Sequence, residues 1–164
     1  MKILISDKMS NKVEEVLNSK SIDFDIKTGM DPSELKSIID DYDGILIRSA
    51  TKLTADILEN CKNLKVIGRA GVGVDNVDLD TATKNKILVM NTPLGNLEAT
   101  AELTVGLIFS LYRHIHLANN STHEGKWEKS KFMGTELKGK TLGVVGYGNI
   151  GQRVAEIWRV IGMD

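Results

Sequence analysis

Lys140-Thr141-Leu142-Gly143-Val144-Val145-Gly146-Tyr147-Gly148-Asn149-Ile150-Gly151-Gln152-Arg153-Val154-Ala155 is the stretch from which the rest of the chain is read. Thr141 to Val145 is a short apolar, β-branched run that predicts a strand, and it leads directly into Gly146-x-Gly148-x-x-Gly151. Ile150, Val154, Ile157 and Ile161 follow at helical spacing, so the glycines fall at a strand-to-helix turn, the context a dinucleotide fingerprint requires. Each glycine has a physical role there. Gly146 permits the tight turn, Gly148 leaves bare backbone for a pyrophosphate, and Gly151 lets the helix approach its strand, while the helix N-terminus offers free N–H groups and partial positive charge. The acidic residue that would hold an adenosine ribose is expected about 20 residues on, at the end of the next strand. Asp164 is the one candidate, but it directly follows Ile161-Gly162-Met163, where Gly162 reads as a helix C′ residue and no second strand is expected to have begun. The chain therefore reads as stopping inside a βαβ unit of a longer protein.

The composition of the whole chain is that of an ordinary soluble protein, with 41% hydrophobic and 26% charged residues among 164. A net charge of −1 gives no electrostatic footprint for nucleic acid and no polybasic membrane patch. Partners are expected to be small molecules and copies of the chain. The single cysteine, Cys61, excludes an internal disulfide framework and reads as a packing thiol in a reducing, cytoplasmic compartment. Met1 to Asp7 has too short an apolar core for a signal peptide and reads as a first strand.

From that strand, Lys2–Ser6, elements alternate. Ser10 is expected to cap a helix through Asn18, Ile22–Lys27 a strand, and Asp31-Pro32 to open a helix with proline at its first position. Gly44–Arg48 reads as a buried strand, Thr54 as the cap of a helix carrying Ile57 and Leu58, Leu64–Ile67 as a strand, Leu79–Thr83 as a short helix, and Ile87–Met90 as a fifth strand. Five strands alternating with helices predict a flavodoxin-like parallel sheet covered on both faces, ending at Leu97. The fold class is thus α/β, a flavodoxin-like domain over 1–97 followed by the start of a Rossmann domain over 98–164.

Ligands of such sheets bind beyond the carboxyl ends of the strands. The unusual residues gather there: Arg48-Ser49-Ala50-Thr51 after the third strand, Gly68-Arg69-Ala70-Gly71-Val72-Gly73-Val74-Asp75-Asn76 after the fourth, and Asn91 to Asn96 after the fifth. Two arginines beside glycine-rich backbone suit a small, doubly anionic ligand. Spacing alone equally allows solvated strand-end arginines and glycines that only serve turns.

Glu98 to Leu117 predicts one long helix, apolar on nearly every side between Leu103 and Tyr112 and so covered by more than its own domain. That apolar run is too short for a membrane span, which takes roughly 20 residues. His114, His116 and His123 lack carboxylates at i+3 or i+4 and metal-ligand spacing, and read as surface or interface residues. Glu124 to Lys140 reads as a helix end and connector.

Taken in order, Ile47-Arg48-Ser49-Ala50-Thr51-Lys52, Gly68 to Leu79, Val89-Met90-Asn91-Thr92-Pro93-x-Gly95-Asn96, Ala101-Glu102-Leu103-Thr104, Gly125-Lys126-Trp127-Glu128, Lys131 to Leu137 and the fingerprint resemble the D-isomer-specific 2-hydroxyacid dehydrogenases. The likeness is closest to members that oxidise a phosphorylated 2-hydroxy acid at the first step of serine synthesis. It covers about Ile3 to the last residue.

The resemblance implies an NAD-dependent oxidoreductase whose first domain helps hold the substrate and whose second binds the cofactor. It implies that Arg48, Ser49, Arg69 and Asn96 face the substrate anion, that Gly71, Val72 and Gly73 line the carboxylate and nicotinamide region, and that Val72, Thr104, Gly146, Gly148, Asn149, Ile150 and Gly151 contact NAD. Val72 stands where relatives often carry a small hydroxyl residue, which removes one side-chain hydrogen bond. The family's catalytic His–Glu pair and carboxylate-gripping Arg lie downstream of the fingerprint, so none is expected here and the 164 residues alone are expected to be inactive. A homodimer or tetramer is expected. The rival readings are a glyoxylate or hydroxypyruvate reductase and, from another class, an NAD(H)-sensing binding protein like the family's corepressors.

Overall fold

The computed structural model describes residues Met1–Asp164. Its contacts divide the chain into two compact units, Met1–Gly95 and Asn96–Asp164.

In the first unit, β1 (Lys2–Ile5), β2 (Asp23–Ile26), β3 (Gly44–Ile47), β4 (Val66–Arg69) and β5 (Leu88–Asn91) form one sheet in the order β2-β1-β3-β4-β5. All four neighbouring pairs are parallel. This is the flavodoxin-like order, with the topological switch between β1 and β3. Register places Leu4, Ile45, Ile67 and Val89 in one row across the sheet. Because strand side chains alternate, that row faces one side, and it packs with Leu35, Ile39, Tyr42, Ile57, Leu58 and Ala82. These come from α2 (Pro32–Ile38) and its 3₁₀ extension, α3 (Ala55–Leu58) and α4 (Leu79–Lys84). On the opposite side Ile3, Ile5 and Leu46 pack with Leu17 and Val13 of α1 (Lys12–Ser19). The expectation of full cover on both faces holds for the first side only. On the second, Leu88 and Met90 stay 60% and 54% exposed, and an apolar cavity of about 300 Å³ opens beside Leu46, Val66 and Met90.

Helix starts follow the sequence unevenly. Asp31 caps α2 by accepting the N–H groups of Ser33 and Glu34, with Pro32 at the first helical position. Ser10 does not cap α1: the helix is entered through Asn11, and the Ser10 hydroxyl meets only the Lys12 N–H at 3.4 Å. β4 lies two residues later than expected, because Leu64 is buried from the turn before the strand while Arg69 is still in the ladder, paired with Ile47 and Asn91.

In the second unit the long helix is two helices, α5 (Leu97–Tyr112) and α6 (Ile115–His123). The Tyr112 carbonyl, which a continuous helix would offer to His116, instead accepts the Thr135 N–H at 3.0 Å. His114 adopts left-handed φ and ψ of 52° and 32° at the break. α7 (Asn149–Ile161) packs on α5 through Ala101, Val154 and Trp158, and the rings of Phe109 and Trp158 lie 5.0 Å apart.

α7 ends as expected at Gly162, left-handed at φ 99°, with the Met163 N–H returning to the Trp158 carbonyl. Thr141–Val145 is not a strand, since Val144 and Val145 have no backbone partner and a strand exists only through its ladder. Its first residues are nonetheless paired. Asp164 N–H donates to Lys140 C=O at 3.0 Å and Leu142 N–H donates to Asp164 C=O at 2.7 Å, a parallel-type pattern about Thr141. The expectation that no second strand has begun by Asp164 still holds, since no strand follows α7. No helix is long and apolar enough to cross a membrane.

Candidate functional site

The carboxyl edge of the first unit's sheet is organised by two side chains that the sequence does not single out. Asp7 follows β1 and is only 6% exposed. A buried carboxylate needs donors, and Asp7 finds three: the Arg48 N–H at 2.5 Å, the Thr51 N–H at 3.2 Å and the Thr51 hydroxyl at 2.9 Å. Asn76, in the loop after β4, meets the same two residues from the other side. Its Nδ2 donates to the carbonyls of Arg48 at 2.7 Å and Thr51 at 2.6 Å, and its Oδ1 accepts from Arg69 Nε at 3.2 Å.

Arg48 stands just beyond β3, exposed, with one guanidinium N–H 3.4 Å from the Lys8 carbonyl. Ser49 beside it is exposed. Arg69 closes β4, and its guanidinium lies over Gly71: a β-carbon there would stand 2.2 Å from Nη1. Gly71 is thus a close-approach glycine. Its carbonyl accepts the Thr92 N–H at 2.9 Å, and the Val72 carbonyl accepts Asn91 Nδ2 at 2.6 Å, so the loop after β4 is pinned through carbonyls. The N–H groups of Val72 and Gly73 make no hydrogen bond within the protein. The edge therefore carries two cations and free amide donors, a set suited to anions. An open cavity of about 410 Å³ lies nearby, but its lining of Ser49, Lys52, Asp75, Asn76 and Asp78 includes neither arginine and two carboxylates. It is a poor anion site.

In the second unit, Gly146 has φ 92°, which only glycine adopts freely, and Gly148 precedes α7 in extended conformation. A β-carbon at Gly148 would meet nothing within 4 Å, whereas one at Gly151 would stand 2.1 Å from the Gly146 carbonyl oxygen. The first helix-closing amide is that of Gln152, bonded to the Gly148 carbonyl at 2.9 Å, so the amides of Asn149, Ile150 and Gly151 precede it without helical acceptors. Open space at Gly148, in front of these amides and the positive end of a 13-residue helix, fits a pyrophosphate. Ile150 packs into the unit's core, Asn149 is exposed, and Asn96 occupies the N-cap position of α5 without a capping bond. The Thr104 hydroxyl is turned back to the Thr100 carbonyl at 2.8 Å.

No histidine is paired with a carboxylate. His123 Nδ1 lies 3.0 Å from the Asn119 carbonyl within its own helix. No cluster of potential ligands could hold a metal. Burial pushes the Cys61 thiol up to about 11, with the Asp40 charge adding to the effect, so it is no nucleophile at neutral pH.

Comparison with known proteins shows the family of the chain. Residues 3–156 match the family described as D-isomer specific 2-hydroxyacid dehydrogenase, catalytic domain. The chain is 48% identical over 162 residues to D-3-phosphoglycerate dehydrogenase of Homo sapiens, a match covering 99% of this chain and 30% of that one. It is 43% identical over 164 residues to the protein of the same name from Archaeoglobus fulgidus, covering 100% of this chain and 31% of that one. The chain thus spans about 30% of the length of these curated relatives. Among solved structures, cofactor(NAD+)-bound 3-phosphoglycerate dehydrogenase of Entamoeba histolytica aligns at a TM-score of 0.76 and 32% identity, over 100% of this chain and 52% of that chain. With the family matched over nearly all of its residues, the chain belongs to the D-isomer specific 2-hydroxyacid dehydrogenases.

Proposed function

We propose that the whole protein is an NAD-dependent dehydrogenase that oxidises D-3-phosphoglycerate to 3-phosphohydroxypyruvate, the first step of serine synthesis. The observation that carries this reading is the pair of arginines tied to one asparagine at the carboxyl edge of the first unit's sheet. An unphosphorylated 2-hydroxy acid has one anion to recognise; a phosphorylated one has two. Arg48, Ser49 and Arg69 bind the distal phosphate, and the free amides of Val72 and Gly73, beside Gly71, receive carboxylate oxygens. Asn96 adds a polar contact to the substrate.

In the second unit the Gly146–Gly151 turn and the amides of Asn149, Ile150 and Gly151 hold the pyrophosphate of NAD. Thr104 and the Val72 backbone are further cofactor contacts, Thr104 after its hydroxyl leaves the Thr100 carbonyl. When bound, the nicotinamide supplies the two-electron acceptor for oxidation at C2. The residues of this chain bind and orient; none is arranged to take the hydroxyl proton.

Pairing of two copies through α5 and a cytoplasmic location complete the proposal. Support for the first comes from Leu103, Leu107 and Leu111, spaced four apart on one helix face and 61–64% exposed. Support for the second comes from a single, unpaired cysteine.

The test is NADH formation by the full-length protein with 3-phosphoglycerate and with D-glycerate. A charge-assisted contact to phosphate contributes roughly 1.5–3 kcal/mol, about ten- to a hundredfold in binding. Arg48→Ala and Arg69→Ala should each weaken 3-phosphoglycerate by that order and leave NAD affinity unchanged. Equal turnover of the two substrates by the unaltered enzyme would transfer the assignment to another hydroxy acid.

A further inference from the structure

We infer that Asn76 is the positioning residue of the anion site: it fixes Arg48 and Arg69 relative to one another and thereby sets selectivity for the phosphorylated substrate. The inference rests on the proposed phosphoglycerate reading and adds to it a residue that would touch neither substrate nor cofactor.

The carboxamide spends both of its functional groups on the two arginines. Nδ2 donates to the Arg48 and Thr51 carbonyls, the two ends of the Arg48–Thr51 loop, while Oδ1 accepts from Arg69 Nε. The orientation follows from the partners, since the carbonyls can only accept and the guanidinium can only donate. The backbone of Asn76 joins the same structure. Its carbonyl accepts the Leu53 N–H at 2.8 Å, and Leu53 and Val77 form a parallel bridge, so the loops after β3 and β4 are laced together at this point.

Asp7 closes the other half of the arrangement. The two residues whose carbonyls go to Asn76 are the two whose N–H groups go to Asp7. Asp7 anchors the loop to β1. Asn76 alone links that loop to an arginine on another strand.

An arginine held through Nε keeps its two terminal nitrogens for a ligand, and the fork gains affinity when it needs no reordering on binding. Gly71 extends the same logic. The guanidinium can lie where it does because no β-carbon stands beneath it. Asn76, Gly71 and the strand end together leave Arg69 little freedom.

The isosteric variant Asn76→Asp separates positioning from packing. It conserves volume and shape, but it puts an acceptor against two carbonyl oxygens and a negative charge against Arg69. Asn76→Ala removes the link without adding charge. In the full-length protein, both variants should raise KM for 3-phosphoglycerate roughly ten- to a hundredfold, with Asn76→Asp at least as severe. KM for NAD and turnover of D-glycerate should stay within about twofold. A packing role predicts instead that Asn76→Asp resembles the unaltered enzyme, and a general folding role that both substrates and NAD suffer alike. Either result overturns the inference. Hydrogen exchange gives an answer independent of the substrate: the Arg48 and Thr51 amides should exchange faster in Asn76→Ala, and unchanged protection overturns the loop link. If the unaltered enzyme shows no preference for the phosphorylated acid, the functional reading falls by itself, and the exchange result still decides the link.

Discussion

Gly148 and Gly151 lie three residues apart and answer to different constraints. At Gly148 a side chain would point into open space on an extended backbone, so the fold gains nothing from glycine there. At Gly151 a β-carbon would overlap the Gly146 carbonyl, so the turn itself depends on its absence. Gly148→Val should therefore leave far-UV circular dichroism and melting unchanged in the full-length protein while abolishing NADH binding by fluorescence titration. Gly151→Val should unfold or strain the second unit, with destabilisation on the order of 1–3 kcal/mol from overpacking. Unchanged NADH affinity in the first variant would remove the pyrophosphate assignment. The same contrast explains what the sequence tells at this scale. Arg48 and Arg69 stand out in the sequence only as candidates, charges at the ends of buried strands that spacing equally allows to be solvated, whereas the fingerprint is legible because its spacing is local. Asp7 and Asn76 are not. Their bonds to Arg48 span 41 and 28 residues, and only register brings those partners together.

Helices and strands were legible wherever hydrophobic period and local capping agreed, as at Asp31-Pro32 and Gly162. Structure departs from local pattern where a distant partner decides. Nothing between Glu98 and Leu117 announces a break, because the interrupting donor is the Thr135 N–H, beyond α6 in the chain. Likewise Val144 and Val145 have strand composition without a ladder. α5 also leads to a prediction at this scale. Its Leu103, Leu107 and Leu111 face remains more than half exposed while Ala101 on the same helix is fully buried. Such a stripe should be covered by its copy across a twofold axis. Leu107→Glu, which sets two carboxylates against each other in that contact, should shift the full-length protein toward monomer by light scattering. A monomer before substitution would remove the premise.

For the chain as a whole, the 164 residues taken alone should form NADH from 3-phosphoglycerate no faster than the no-enzyme rate. General acid–base catalysis typically contributes 10²–10⁴-fold. It needs a base within reach of the hydroxyl, held by a partner, and none of His114, His116 and His123 forms an ion pair with a carboxylate, His123 Nδ1 meeting the Asn119 carbonyl instead. Turnover above background would force one of the three into that role. A different whole-chain property follows from where the reporter residues fall. The only cysteine is in the core of the first unit, where burial pushes its thiol up to about 11, and both tryptophans are in the second, Trp158 at 1% exposure and Trp127 at 80%. A thiol reagent at neutral pH then reacts only when the first unit opens, while the indole emission of Trp158 follows the second. The two halves of the chain carry separate clocks, and the order in which they come apart can be timed in a single unlabelled sample.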